Sequence, residues 1–176
     1  MLTVLTIIGT RPEAVKMAPV MAELSRQPAR IRAITCSTGQ HREMLDQGCA
    51  LFGIQSDVDL GVMRPEQTLS GMTARLFDAL DPVVRDLRPD WILAQGDTTT
   101  VLVVSLVAYY HHIQFGHVEE GLRTRDRYRP FPEEINRCVA DIVAELMFAP
   151  TELNHQTLLR EAPTSQSDRC NRQFSD

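Results

Sequence analysis

Residues 2–13 read Leu2-Thr3-Val4-Leu5-Thr6-Ile7-Ile8-Gly9-Thr10-Arg11-Pro12-Glu13. The first seven are apolar apart from two threonines, are rich in β-branched side chains and stop at a glycine. That pattern suits a strand buried on both faces, as in a parallel sheet. Residues 14–24 then carry apolar side chains at most positions and predict a helix packed on that sheet. Pro19 within it predicts a kink or a late start, because proline lacks the N–H that an inner helical turn requires.

The same alternation continues outward. Strands are expected over 31–38, 57–60, 91–95, 114–118 and 147–149, and helices over 42–52, 98–110, 133–146 and 151–160. A long helix is expected over 68–87, where Leu69, Met72, Leu76, Leu80, Val83 and Leu87 recur at three- and four-residue steps. Pro82 is expected to bend or split it. Strand and helix in repetition predict an α/β fold: a Rossmann-like, mostly parallel sheet with helices on both faces and right-handed crossovers. Residues 162–176, APTSQSDRCNRQFSD, break the pattern with a polar, turn-forming composition that predicts disorder.

A chain of 176 residues suits one domain, and 43% hydrophobic content suffices for a core. With 18 basic against 23 acidic side chains, the formal charge of -5 argues against a sequence-independent hold on nucleic acid. No apolar run approaches the roughly 20 residues that span a bilayer, and the opening stretch lacks the basic region of a signal peptide. A cytoplasmic location is expected. Four cysteines without a C-x-x-C pair argue against a disulfide scaffold or structural zinc, and core packing is expected for Cys36, Cys49 and Cys138. Seventeen of the 18 basic residues are arginine, which makes Lys16 the lone lysine.

Ligands of open α/β sheets bind beyond the carboxyl ends of the strands, and polar clusters fall at those points. They are Gly9 to Glu13, Thr38 to Arg42, Gly96 to Thr100 and His117 to Thr124. Each has a bland explanation beside the functional one. Arg11 could be a solvated loop residue, and Asp97 could merely cap the following helix. His41 and His117 could be hydrogen-bonded packing residues. Glu133 and Glu134, behind Pro132, suit the positive end of a helix dipole. The chain lacks G-x-G-x-x-G and the G-x-x-x-x-G-K-[ST] loop, and His117-Val118-Glu119 is not followed by P-C-x-x-C. No metal or cofactor is called for.

Five motifs in register carry a resemblance: GTRPEAVKMAPV at 9–20, TGQHREMLDQ at 38–47, QGDTTT at 95–100, HVEEGLRT at 117–124 and PFPEEINR at 130–137. Over about residues 1–161 the chain resembles the non-hydrolysing UDP-N-acetylglucosamine 2-epimerases. One departure is Glu120, where the family usually has alanine; its carboxylate is expected either to raise a neighbour's pKa or to face solvent. The resemblance implies the N-terminal domain of a two-domain GT-B fold, with a second domain missing and 162–176 a polar tail, disordered or out of frame. A truncated or frame-disrupted copy is expected.

The resemblance also implies a reaction. The family interconverts UDP-N-acetylglucosamine and UDP-N-acetylmannosamine by eliminating UDP to 2-acetamidoglucal and adding it back with inversion at sugar carbon 2. It implies Asp97, Glu119 and Glu133 as the catalytic carboxylates, with base and acid left open, and Arg11 and Lys16 as the cations for the diphosphate. Gln40 and His41 match a motif of a regulatory UDP-N-acetylglucosamine site in bacterial members. Intact members are expected to be homodimers, without nucleic acid or membrane partners. The alternative for this chain is an inactive nucleotide-sugar-binding remnant, and a further one is a partner whose missing half comes from another chain. The spatial expectation is that Arg11, Lys16, Asp97, Glu119 and Glu133 converge on one pocket mouth.

Overall fold

The computed structural model describes residues 1–39, 52–62, 64 and 66–161. Within them the chain runs β1 (Leu2–Ile8), α1 (Arg11–Ser25), β2 (Ile31–Ser37), β3 (Val58–Asp59), α2 (Leu69–Leu87), β4 (Trp91–Gln95), α3 (Thr99–Tyr110), β5 (Gln114–Val118), α4 (Glu133–Val143), β6 (Leu146–Phe148) and α5 (Glu152–Glu161). The strands form one sheet in the order β3-β2-β1-β4-β5-β6, and every pairing is parallel. The helix expected over 42–52 lies outside the described residues except for Phe52, which is in a turn; the tail 162–176, Gln40, His41, Cys49 and Cys170 lie outside them too.

The period of two along β1 explains why the sheet needs cover on both sides. Leu5 and Ile7 point into a core shared with Ile34, Cys36, Ile92, Ala94 and Phe115 and roofed by α2, α3 and α4. Val4 and Ile8 point the other way, onto Ala14, Met17 and Met21 of α1, with Leu93 beside them. Helix α3 is apolar nearly all round, with Val101, Val103, Val104, Val107 and Ala108 buried; such a helix has to be enclosed, and here it lies between α2 and α4. Cys36 is a free, fully buried thiol of this core, whereas Cys138 is only half-buried.

Two expectations are corrected. Pro19 neither delays nor ends α1, which starts earlier than expected, at Arg11. The reason is a capping box: Thr10 accepts from the Glu13 N–H while the Glu13 carboxylate turns back to the backbone before the helix. Pro19 and Val15 sit on the exposed face, so the Val15 carbonyl that loses its partner is open to water. Pro82 likewise does not split α2, which is continuous from Leu69 to Leu87; the carbonyl it releases belongs to exposed Asp78. The buried stripe of α2 is Met72, Leu76, Leu80 and Val84, while Leu69 is exposed and Val83 half-buried.

Among the described residues no helix is long and apolar enough to cross a membrane. Leu76 is fully buried, so Leu76→Ala is expected to lower unfolding stability by about 2–5 kcal/mol. Thr10→Ala, which removes one half of the capping box, is expected to cost about 1 kcal/mol. Urea titration followed by circular dichroism measures both, and equal losses for the two variants would contradict this ranking.

Candidate active site

Strand β1 has β2 on one side and β4 on the other. The helices that follow β1 and β4 cover opposite faces, so their loops part and leave a crevice at the strands' carboxyl ends. A cavity of about 450 Å³ lies there, walled by Thr10, Glu13 and Lys16 after β1, by Gln95 to Thr98 at the end of β4 and by Glu119 and Glu120 after β5, with Arg137 of α4 completing it.

The first wall is built by the cap. Glu13 is buried, and its Oε2 accepts from the N–H of Gly9 at 2.5 Å and of Thr10 at 3.1 Å. Burial pushes its carboxyl above the ordinary range, against the pull of those N–H groups. Lys16, one turn further along α1, reaches across the cavity to Glu119, and its ammonium donates to Glu119 Oε2. Gln95 Nε2 donates to the same oxygen. Glu119 has φ of 65°, a left-handed conformation that costs a non-glycine residue free energy. At that strained position its carboxylate meets both donors.

Asp97 lies in the turn between β4 and α3. The helix cap is Thr98, whose hydroxyl accepts from the Val101 N–H at 3.4 Å, so capping does not account for Asp97. Its carboxylate instead receives Arg137 Nη2 at 2.5 Å, and its carbonyl receives Asn136 Nδ2 at 2.9 Å. Both donors come from α4. The first turn of α4 is held by Glu134, whose Oε1 accepts from the N–H groups of Thr124 and Arg125 at 3.0 and 2.9 Å. Desolvation works against its charge, yet those two N–H groups and Arg137 hold its carboxyl below the ordinary value.

Beneath the cavity floor is a chain of buried ionisable groups. His117 Nδ1 lies 2.8 Å from Asp141 Oδ1, and its Nε2 lies 2.7 Å from the Gly96 carbonyl and 2.6 Å from Glu120 Oε1. Arg123 Nη2 donates to the other Asp141 oxygen at 2.5 Å. Desolvation opposes charge on His117, but its bonds to Asp141 and Glu120 prevail and push it up to about 9. Burial also raises the Glu120 carboxyl, with His117 opposing, while His117 and Arg123 overcome burial and hold Asp141 low. His117, Glu120 and Asp141 bring donor atoms close enough to suggest a cation site. The two carboxylates, however, take opposite edges of the imidazole, which is the geometry of a proton chain rather than a cage.

The expected convergence is therefore only partly met. Lys16, Asp97 and Glu119 share the cavity, whereas Arg11 and Glu133 are not among its walls. Arg11 is exposed at the start of α1 and Glu133 half-buried at the start of α4; both stand beside wall residues, so each is a neighbour of the crevice rather than part of its lining. Glu120 does not face solvent; it is 1% exposed. His117 is a hydrogen-bonded buried residue, as its bland explanation held. Gln95, Asn136, Arg137 and Asp141 were not singled out by sequence, although the first three lie inside the quoted motifs.

Fold and crevice together define a Rossmann-like domain with a cavity at its topological switch point. The chain belongs to the UDP-N-acetylglucosamine 2-epimerase family, whose model matches residues 22–167. It is 53% identical over 158 residues to the Yersinia pestis UDP-N-acetylglucosamine 2-epimerase, covering 90% of this chain and 42% of that one. The Escherichia coli K12 enzyme of the same name is 51% identical, with the same coverage. The crystal structure of the Neisseria meningitidis epimerase bound to UDP-GlcNAc superposes with a TM-score of 0.87 at 46% identity, over 94% of this chain and 45% of that one. A Streptomyces glycosyltransferase at 12% identity and a TM-score of 0.51 shares the fold alone. The chain thus spans less than half the length of the relatives it matches.

A proton held more tightly in the folded state stabilises that state. For His117 the contribution is complete below 6.5, its ordinary pKa, and is lost as pH rises through about 9. The raised Glu120 carboxyl acts in the same direction. Stability is thus expected to fall as pH climbs across that window, and Glu120→Gln is expected to flatten the fall. Denaturant midpoints measured across the window test this; a midpoint that rises with pH would contradict it. Gly121 has φ of 88°, and a Cβ there would stand 2.3 Å from the Asn154 carbonyl oxygen, so Gly121→Ala is expected to destabilise the loop that carries Glu119.

Proposed function

We propose that this chain forms the sugar-facing half of a site that interconverts UDP-N-acetylglucosamine and UDP-N-acetylmannosamine, corresponding to the N-terminal half of its longer relatives. One observation carries the reading: Asp97 and Glu119 enter a single crevice from different loops, and each is held by a cation from yet another element. A base removes the carbon 2 proton, the pair of electrons forms the carbon 1–carbon 2 double bond, and the bond from carbon 1 to the UDP oxygen breaks. Re-addition returns a proton to the opposite face of carbon 2 and UDP oxygen to carbon 1. Both steps are redox-neutral.

In this reading Lys16 has two partners in succession. An arriving diphosphate competes with Glu119 for the ammonium, which stabilises the departing UDP and frees the carboxylate for proton transfer. Arg11, at the exposed start of α1, adds positive charge at a helix N-terminus suited to phosphate, and Glu133 supplies a third carboxylate beside the crevice. UDP-N-acetylglucosamine is the proposed ligand, and dimerisation is proposed for the intact protein. The second reading is a remnant that binds nucleotide sugar at this crevice without turning it over.

The discriminating measurement is deuterium incorporation at sugar carbon 2 in D₂O, using the chain alone and together with a separately expressed C-terminal half of a relative. Incorporation supports the epimerase reading, and ligand-induced amide shifts without incorporation in either setting support the remnant. Asp97→Asn and Glu119→Gln are each expected to lower incorporation by about 10²–10⁴-fold while leaving circular dichroism unchanged. Wild-type incorporation in both variants would overturn the assignment of these carboxylates.

A further inference from the structure

The proton chain beneath the cavity contains a competition. His117 Nε2 carries at most one hydrogen, yet two acceptors lie within bonding distance of it: the Gly96 carbonyl at 2.7 Å and Glu120 Oε1 at 2.6 Å. The other ring nitrogen is committed to Asp141. Gly96 immediately precedes Asp97, and it has φ of 85° in the turn that aims the Asp97 carboxylate. The second oxygen of Glu120, Oε2, is buried without a hydrogen-bond partner; besides the imidazole, the Asp141 carboxylate lies close enough to act on this carboxyl group and favours its protonated form.

We propose that Glu120 is a positioning residue for Asp97, acting by taking the His117 N–H away from the Gly96 carbonyl when it ionises. With Glu120 protonated, the N–H belongs to Gly96, and the turn is pinned to the imidazole. With Glu120 ionised, a charge-assisted bond outcompetes one to a neutral carbonyl, and the pin is released. An alanine at position 120 offers no such competitor. Burial of Glu120 moves the event above the ordinary carboxylate range, toward the neutral and alkaline pH where it would bear on turnover.

Other charges border this switch. On α4 these are Asp141, Arg137, the latter paired with Asp97, and the Cys138 thiol. The β5–α4 loop contributes Arg123, tied to Asp141 and to Glu161 of α5. Across the cavity stand Glu13 and the Lys16–Glu119 pair. The buried Asp141–Arg123 pair balances one positive with one negative charge, so Glu120 and His117 are the members of the chain left to exchange a proton.

The role of Asp97 rests on the epimerase reading, whereas the hydrogen-bond switch does not, and the experiment separates them. Amide spectra of the ¹⁵N-labelled chain, wild type and Glu120→Gln, are recorded from neutral to alkaline pH together with the His117 imidazole nitrogens. Glutamine keeps the acceptor oxygen but cannot ionise, and Glu120→Ala serves as a second variant should glutamine misfold. The Gly96 and Asp97 amides of the wild type are expected to shift in step with the His117 ring and to lose that transition in the variants. A transition unchanged in Glu120→Gln, or no wild-type transition at Gly96 and Asp97, overturns the switch. Where carbon 2 exchange is measurable, its pH profile is expected to lose one limb in Glu120→Gln; an unaltered profile overturns the positioning role even if the amide shifts follow Glu120.

Discussion

Everything in this domain depends on strand β1 being central in a parallel sheet whose winding reverses beside it. With β2 on one flank and β4 on the other, the chain must leave β1 toward one face and β4 toward the opposite face. No side chain has to be carved away to make the resulting crevice, because diverging backbones open it. The apolar run of β1, alternating between two cores, supports that geometry, and the polar residues that follow it are delivered to the rim.

The rim is charged, and the charges arrive in pairs. Lys16 with Glu119 and Arg137 with Asp97 join elements distant in sequence at the rim, and Arg123 with Asp141 does the same beneath it. Pairing orients these side chains across loops that the chain itself keeps far apart. The strained backbone of Glu119 belongs to the same arrangement, since an ordinary strand conformation would aim its side chain elsewhere.

Glu120 shows how one residue can act on a site without entering its chemistry. At this position the chain places a buried carboxyl against an imidazole already committed on both edges. The surplus acceptor competes for one hydrogen with the turn that holds Asp97. Membership of the family therefore describes the scaffold, while the contact between Glu120 and His117 is a property of this sequence.

Sequence by itself determined the fold class, because strand and helix periodicity in Leu2 to Ile8 or Leu69 to Leu87 is a local property of the chain. It also marked three loops that wall the cavity, those after β1, β4 and β5, since polar clusters after buried strands are legible without coordinates. It misjudged a late start of α1 at Pro19 and a split of α2 at Pro82, because the cost of each proline depends on whether the released carbonyl meets water or core. Only the tertiary structure decided which charges meet: that Lys16 pairs with Glu119, that Arg137 and not the helix end takes Asp97, and that Glu120 turns inward to His117. Those contacts join residues as many as 103 positions apart. Their energies depend on burial and distance, quantities that exist only once the sheet has brought the loops together.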